Sequence, residues 1–251
     1  MTEPRHILLV EDEPTLQRIL GSVLSDVGHE VESVGTAEAA LSRLEDASAP
    51  DVHLVLSDKN LPAMNGLELL ARVRERERDG HLLRGFILVT GYPSRDSALT
   101  VLAEGGDGYL VKPFRSLVHA VDEVQAVLKA PLAAHRRAHR RALQVADVLG
   151  GVPRSLEEDV EAALLLDDEG EIERVRACLE RAGVRLVEVE ALSDTAPGLL
   201  VAGRVEDLMA FSRTHPGTGR ILADGSASFK DVVSLIHGGG GAVFDPALVP
   251  A

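Results

Sequence analysis

The sequence predicts an α/β protein of doubly wound parallel sheets, and three observations carry that prediction. Short apolar runs alternate with amphipathic segments, the pattern of parallel strands covered by helices on both faces. The first apolar run ends on a carboxylate cluster, Glu11-Asp12-Glu13. A similar succession of runs returns in the second half of the chain, after a basic segment.

Taken in order, His6 to Glu11 reads as a buried parallel strand, because its apolar residues are continuous rather than alternating. Leu16, Ile19, Leu20, Val23 and Leu24 recur at three- and four-residue spacing and predict a helix, which Gly28 ends. Val31 to Val34 gives a second strand, and residues 36–46 a helix with Thr36 placed to cap it. Val52 to Leu56 is a strand, Leu67 to Glu77 a helix, Phe86 to Val89 a strand and Ser97 to Ala103 a helix. Tyr109 to Val111 and Leu117 to Lys129 complete five strands and five helices. In such a sheet, function collects at the C-terminal strand ends near the switch in strand order. Strand one brings Glu11 and Asp12 there, strand three Asp58, strand four Thr90 and strand five Lys112.

Composition narrows the function classes. The 251 residues carry a net charge of −14, which disfavours a protein that coats nucleic acid. No apolar run approaches the roughly 20 residues needed to cross a bilayer, and the first residues do not read as a signal peptide. One cysteine, Cys178, excludes an internal disulfide framework and a cysteine-rich zinc site. A reduced, cytoplasmic setting is the expectation.

Crowded carboxylates repel one another, and a divalent cation with oxygen ligands relieves the repulsion. Mg2+ suits a site of carboxylates and a backbone carbonyl, completed by water and phosphate oxygens. A carboxylate can attack phosphorus to give an acyl phosphate, with a metal, Lys112 and Thr90 stabilising the transferring group.

Four segments give this chemistry a family likeness. Ile7-Leu-Leu-Val-Glu-Asp-Glu13, Leu56-Ser-Asp-Lys-Asn-Leu-Pro-Ala-Met-Asn-Gly66, Val89-Thr-Gly91 and Tyr109-Leu-Val-Lys-Pro-Phe114 resemble, in order and spacing, the receiver domains of bacterial two-component response regulators. The resemblance spans about residues 5–129. It implies that Asp58 is the phosphoacceptor and that Asp12, Asp58 and the backbone carbonyl of Asn60 hold Mg2+ (or Mn2+), with Glu11 assisting. It implies further that Lys112 pairs with the acceptor and the phosphoryl group, that Thr90 is a switch hydroxyl with Tyr109 the aromatic whose rotamer follows it, and that the bond before Pro113 is cis. Apart from this constellation, a lone Asp at a strand end is usually a turn or cap residue, and a lone lysine a solvated one.

Beyond the receiver, expected at 1–130, Pro131 opens a helix over 132–149 that Gly150, Gly151 and Pro153 break. Its segment 135–141 contains His135, Arg136, Arg137, His139, Arg140 and Arg141. The expectation is a solvated linker, 131–152, with DNA contact through 135–141 as the alternative function and metal ligation by His135 and His139 disfavoured.

The remainder, 153–251, reads as a second, shortened receiver-like unit without the full second helix. Leu164-Leu-Leu-Asp-Asp-Glu169 echoes Leu8-Leu-Val-Glu-Asp-Glu13, and Gly241-Ala-Val-Phe-Asp-Pro246 echoes Gly108-Tyr-Leu-Val-Lys-Pro113. That alignment sets Gly203 at Asp58, Asp224 at Thr90 and Asp245 at Lys112, so the unit is expected not to be phosphorylated. Its last register stays open, because the Gly238–Leu248 stretch also resembles a connector to helix-turn-helix output domains, and a different small α/β binding domain is the other reading. The expected whole is a non-enzymatic response regulator. It is phosphorylated by a sensor histidine kinase or phosphotransfer protein and signals through a downstream protein partner or a homodimer, away from membranes.

Overall fold

A computed structural model describes residues 4–78, 82–152, 156, 160–188, 198–212, 215 and 218–249. The chain divides into two compact units, residues 1–132 and 133–251. Pro153, and the stretch 189–197 where the second helix of the second half would fall, lie outside the described residues.

The first unit is a five-stranded parallel sheet in the order β2-β1-β3-β4-β5. Its strands are β1 His6–Val10, β2 Glu30–Val34, β3 Leu54–Asp58, β4 Gly85–Thr90 and β5 Gly108–Val111. Its helices are α1 Pro14–Asp26, α2 Ala37–Glu45, α3 Gly66–Arg78, α4 Arg95–Ala103 and α5 Leu117–Lys129. Alternation along the strands sends Ile7, Leu9, Leu54, Leu56, Ile87, Val89 and Leu110 into one core with Leu20 and Leu24 of α1 and Ala120, Val121, Val124 and Val127 of α5. Local chemistry marks the helix starts: the hydroxyls of Thr36, Ser94 and Ser116 accept from the amides of Ala39, Ser97 and His119.

The second unit has α6 Leu132–Leu149, β6 Glu161–Leu165, α7 Glu169–Arg181, β7 Arg185–Leu186, β8 Gly198–Ala202, α8 Val205–Ser212, β9 Gly219–Ala223, α9 Phe229–His237, β10 Ala242–Phe244 and a 3-10 turn Pro246–Leu248. Its parallel sheet runs β10-β9-β8-β6-β7. Read from the β7 edge, this is the strand order of the first unit.

The basic helix is not the solvated linker expected from sequence; it belongs to the second unit. Ala142, Val145 and Leu149 enter the core with Val175, Val201 and Ile221. The helix passes the starts of successive strands. The Gly241 amide donates to His139 Nδ1 at 3.2 Å, the Arg141 guanidinium to the Gly198 carbonyl at 3.3 Å, and a Cβ on Gly219 would lie 2.9 Å from the Ala138 carbonyl oxygen. The apolar face at 3.6-residue spacing decides the packing, and the arginines ride on its rim.

The ladders correct two register expectations. Gly28 and Gly183 both have positive φ, 94° and 81°, and each precedes its next strand pairing by the same step, Ile7 with Val31 and Ala162 with Leu186. Ala162 therefore stands where Ile7 does, which sets Leu166 at Glu11 and Asp167 at Asp12, one residue away from the alignment of LLLDDE with LLVEDE. Following the ladders Ala162–Leu199–Gly219 and Ile221–Ala242 sets Gly203 at Asp58, Asp224 at Thr90 and Pro246, not Asp245, at Lys112. Sequence echo misplaced both ends because a shared Asp or Pro weighs more in a string than in a ladder.

Arg220 is buried at 2% exposure on β9 and donates to the carbonyls of Gly240, at 3.0 Å, and Gly238, past the C-terminal end of α9. Among the described residues no carboxylate pairs with it, and burial pushes it down to about 10. The buried Arg74 of the first unit has a counter-ion in Asp107, at 2.8 Å.

Candidate phosphoryl-acceptor site

The parallel strands of the first unit deliver the site. β1 ends one residue before Glu11, β3 ends on Asp58, β4 on Thr90, and β5 one residue before Lys112. Because β1 pairs with β3, β3 with β4 and β4 with β5, these ends form one edge. The Lys112 amide donates to the Thr90 carbonyl at 2.8 Å, and the Lys59 amide to the Val89 carbonyl at 2.7 Å, extending the ladder into both loops.

Carboxylate oxygens of Glu11, Asp12 and Asp58 lie within 4.8 Å of one another. Lys112 Nζ sits between two of them, 2.7 Å from Glu11 Oε2 and 3.0 Å from Asp58 Oδ2. Burial pushes the Glu11 carboxyl above the usual carboxylate range, and the Asp58 charge adds to that push against the pull of Lys112. Burial alone lowers the Lys112 ammonium, but hydrogen bonds and charges from Glu11 and Asp58 together outweigh it and hold the ammonium above its ordinary value. An all-oxygen cluster of this size fits a hard divalent cation.

The sequence-predicted residues are thus gathered, with differences in detail. Glu11 is buried and bonded to Lys112, while Asp12 is exposed. The Asn60 amide lies 3.4 Å from Asp58 Oδ1 in the loop that follows β3. Thr90 Oγ1 accepts from the Tyr92 amide at 3.0 Å. Tyr109 is buried, its phenol oxygen 2.6 Å from Ser97 Oγ. The Lys112–Pro113 bond is cis.

Sequence reading missed three contributors. Gly66 begins α3 so close to the acceptor that a Cβ there would stand 2.3 Å from the Asp58 carbonyl oxygen. Ala63, in the loop between, adopts φ 60°, a left-handed conformation with no glycine to ease it. Glu38 Oε1 accepts from the Met64 amide at 3.2 Å and fixes the far side of that loop. Only Gly66 had a signal, since a glycine at a helix start often marks close backbone approach.

The acids of the second unit read differently. Asp168 Oδ1 caps α7 through the Glu171 amide, Asp224 Oδ1 accepts from the Ser226 amide and hydroxyl, and Asp245 caps the final turn through the Ala247 amide. These are cap and turn roles.

Residues 7–122 match the response regulator receiver domain. The chain is 35% identical over 114 residues to the chemotaxis protein CheY of Pseudomonas aeruginosa, which covers 45% of this chain and 87% of that protein. It is 40% identical over 110 residues to the response regulator protein FleR of the same species, covering 44% of this chain and 22% of FleR. To the nitrate/nitrite response regulator protein NarL of Escherichia coli it is 32% identical over 147 residues, covering 55% of this chain and 66% of NarL. The likeness thus spans CheY nearly whole but only a fifth of FleR. No described helix is long and apolar enough to cross a membrane. The four motifs, the five-stranded parallel sheet and the carboxylate–lysine edge agree with these matches: the chain belongs to the response regulator receiver family.

Proposed function

We propose that Asp58 accepts a phosphoryl group from the phosphohistidine of a sensor kinase or phosphotransfer protein. The observation that carries this is Lys112 Nζ bridging Glu11 and Asp58 beside Asp12. One Asp58 oxygen attacks phosphorus in line, the phosphorus–nitrogen bond of the donor breaks, and the imidazole leaves with the bonding pair and is protonated. Asp12, Asp58 and the Asn60 carbonyl, with Glu11 assisting, would hold Mg2+ or Mn2+, which supplies charge neutralisation when bound. Lys112 can then turn from the carboxylates to a phosphoryl oxygen, and Thr90 keeps its hydroxyl proton to donate to another. The chain has no other catalytic role on this reading and acts in a reduced, cytoplasmic setting.

The second unit, on this reading, is a receiver-like module that does not accept phosphate. The shared strand order supports its kinship, and Gly203 and Pro246 at the positions of Asp58 and Lys112 support its silence. It serves as the output or interaction module, acting on a downstream protein or a second copy of the chain. The DNA-binding alternative loses ground, because α6 spends Arg141 and His139 on its own unit. Incubation with acetyl phosphate and Mg2+, followed by intact mass, should give one phosphoryl adduct that disappears in Asp58→Ala. An adduct that persists in that variant would refute the assignment.

A further inference from the structure

We propose that the edge of the first sheet opposite the acceptor is an acid-sensitive latch, which releases the starts of β1 and β2 when His29 and His53 take up protons. The latch stands apart from the reading of Asp58, because its groups lie at the other end of the same strands.

Three histidines gather at that edge. His6 opens β1, His29 comes just before β2 and His53 just before β3, and β1 pairs with both of its neighbours. The His53 amide donates to the His6 carbonyl at 2.9 Å and the Glu30 amide to the Arg5 carbonyl at 3.0 Å, which ties the three strand starts together. The His6 amide in turn donates to His53 Nδ1 at 3.2 Å. A ring nitrogen that accepts carries no proton, so this bond fixes His53 as the neutral tautomer with its proton on Nε2. A second proton would land on Nδ1, facing the His6 N–H, and the bond would be lost. The rings of His6 and His53 also stack, with centroids 6.1 Å apart, while His6 Nε2 faces Glu30 Oε2 at 2.9 Å.

His29 is buried at 6% exposure, and among the described residues neither of its ring nitrogens has a hydrogen-bond partner. The charges that reach its ring are two cations, Arg5 ahead of β1 and Lys129 at the end of α5. The acids that flank it in sequence, Asp26 and Glu30, are exposed. An imidazolium there would be desolvated, unpaired and repelled. Around His53, burial, Arg5 and His6 oppose the charge, and Asp51 favours it. Burial, aided by the cations, therefore holds both rings below their ordinary value of 6.5. The opened edge binds protons more readily than the closed one, so the stability contributed by the neutral rings is present above pH 6.5 and lost as pH falls. One pH unit below the ordinary value, each ring that stays neutral in the closed edge weighs up to about tenfold toward opening. Glu11, at the acceptor edge, is shifted upward and has the opposite sign, so substitution rather than pH alone isolates the latch.

Hydrogen exchange of the full-length chain, read by mass on peptides covering the starts of β1 and β2 and corrected for the intrinsic rate, tests the latch. Protection should fall several-fold between about pH 7.5 and about pH 5.5. Full-length protein carrying His29→Phe, which keeps the ring's bulk, and His53→Asn, which keeps an acceptor that takes no proton, should lose little protection over the same interval. A parent whose protection is unchanged would overturn the proposal, as would a double variant that loses as much as its parent. Should the variants not fold, ring-proton titration of the parent, resolved by NMR for its 9 histidines, decides instead. His29 and His53 titrating below the ordinary value support the latch, and either of them titrating at or above it refutes it.

Discussion

The same substitution, glycine to alanine, should act with opposite sign at two places in the first unit. At Gly66 the added Cβ would meet the Asp58 carbonyl oxygen at 2.3 Å, Leu88 Cδ1 at 2.9 Å and the Asp58 carbonyl carbon at 3.0 Å. The nearest atom belongs to the backbone of the acceptor itself, so α3 or the end of β3 must shift. Forcing a methyl into a packed site costs about 1–3 kcal/mol, and alanine's helix preference returns at most about 1 kcal/mol. A net loss of about 1–2 kcal/mol is expected, together with slower phosphorylation, because the shift moves Asp58 relative to Lys112. At Gly21, within α1, nothing lies within 4 Å of an added Cβ. Gly21→Ala should therefore stabilise by about 0.5–1 kcal/mol and leave phosphorylation alone. Urea denaturation with acetyl phosphate labelling reads both effects. Gly66→Ala within about 0.5 kcal/mol of the parent and labelled at the same rate would refute the close approach as the reason for glycine.

Three further predictions follow from single features. Ala63→Gly should stabilise the first unit by about 0.5–1 kcal/mol in urea, because it relieves the left-handed alanine at φ 60° by somewhat more than the added chain entropy costs. Lys112→Met leaves the buried Glu11 beside Asp58 without its cation. A carboxyl held above its ordinary range contributes stability that is present at low pH and lost as pH rises through the folded value, so metal-free Lys112→Met should be more stable near pH 5 than near pH 7, by on the order of 1 kcal/mol, and Mg2+ should reduce the difference. Arg220→Ala removes the donor to the Gly238 and Gly240 carbonyls and opens a cavity, so the second unit's urea transition should fall by about 2–4 kcal/mol while labelling at Asp58 persists.

The sequence carried most of the first unit because its strands are buried on both faces and must be continuous apolar runs, and because each run ends on a residue whose charge or hydroxyl only a sheet edge accommodates. Leu117–Lys129 and Leu132–Leu149 match the expected helices residue for residue. What stayed hidden depends on distance rather than order. Ser97 reads in sequence as one more serine near a cap, and nothing along the chain announces that its oxygen meets Tyr109. The fate of α6 was hidden for a related reason: its arginines suggest a solvated rod, whereas the apolar stripe beneath them packs into a core that appears only once the second sheet has formed.

The central claim is that one aspartate among many accepts phosphate. Borohydride reduces an acyl phosphate to an alcohol and so converts a phosphorylated aspartate to homoserine. The treated chain, digested and mapped by mass, should carry homoserine at position 58 alone. Homoserine at Asp12, Asp167, Asp224 or Asp245, or at none of the aspartates after a phosphoryl adduct has been seen, would contradict the account.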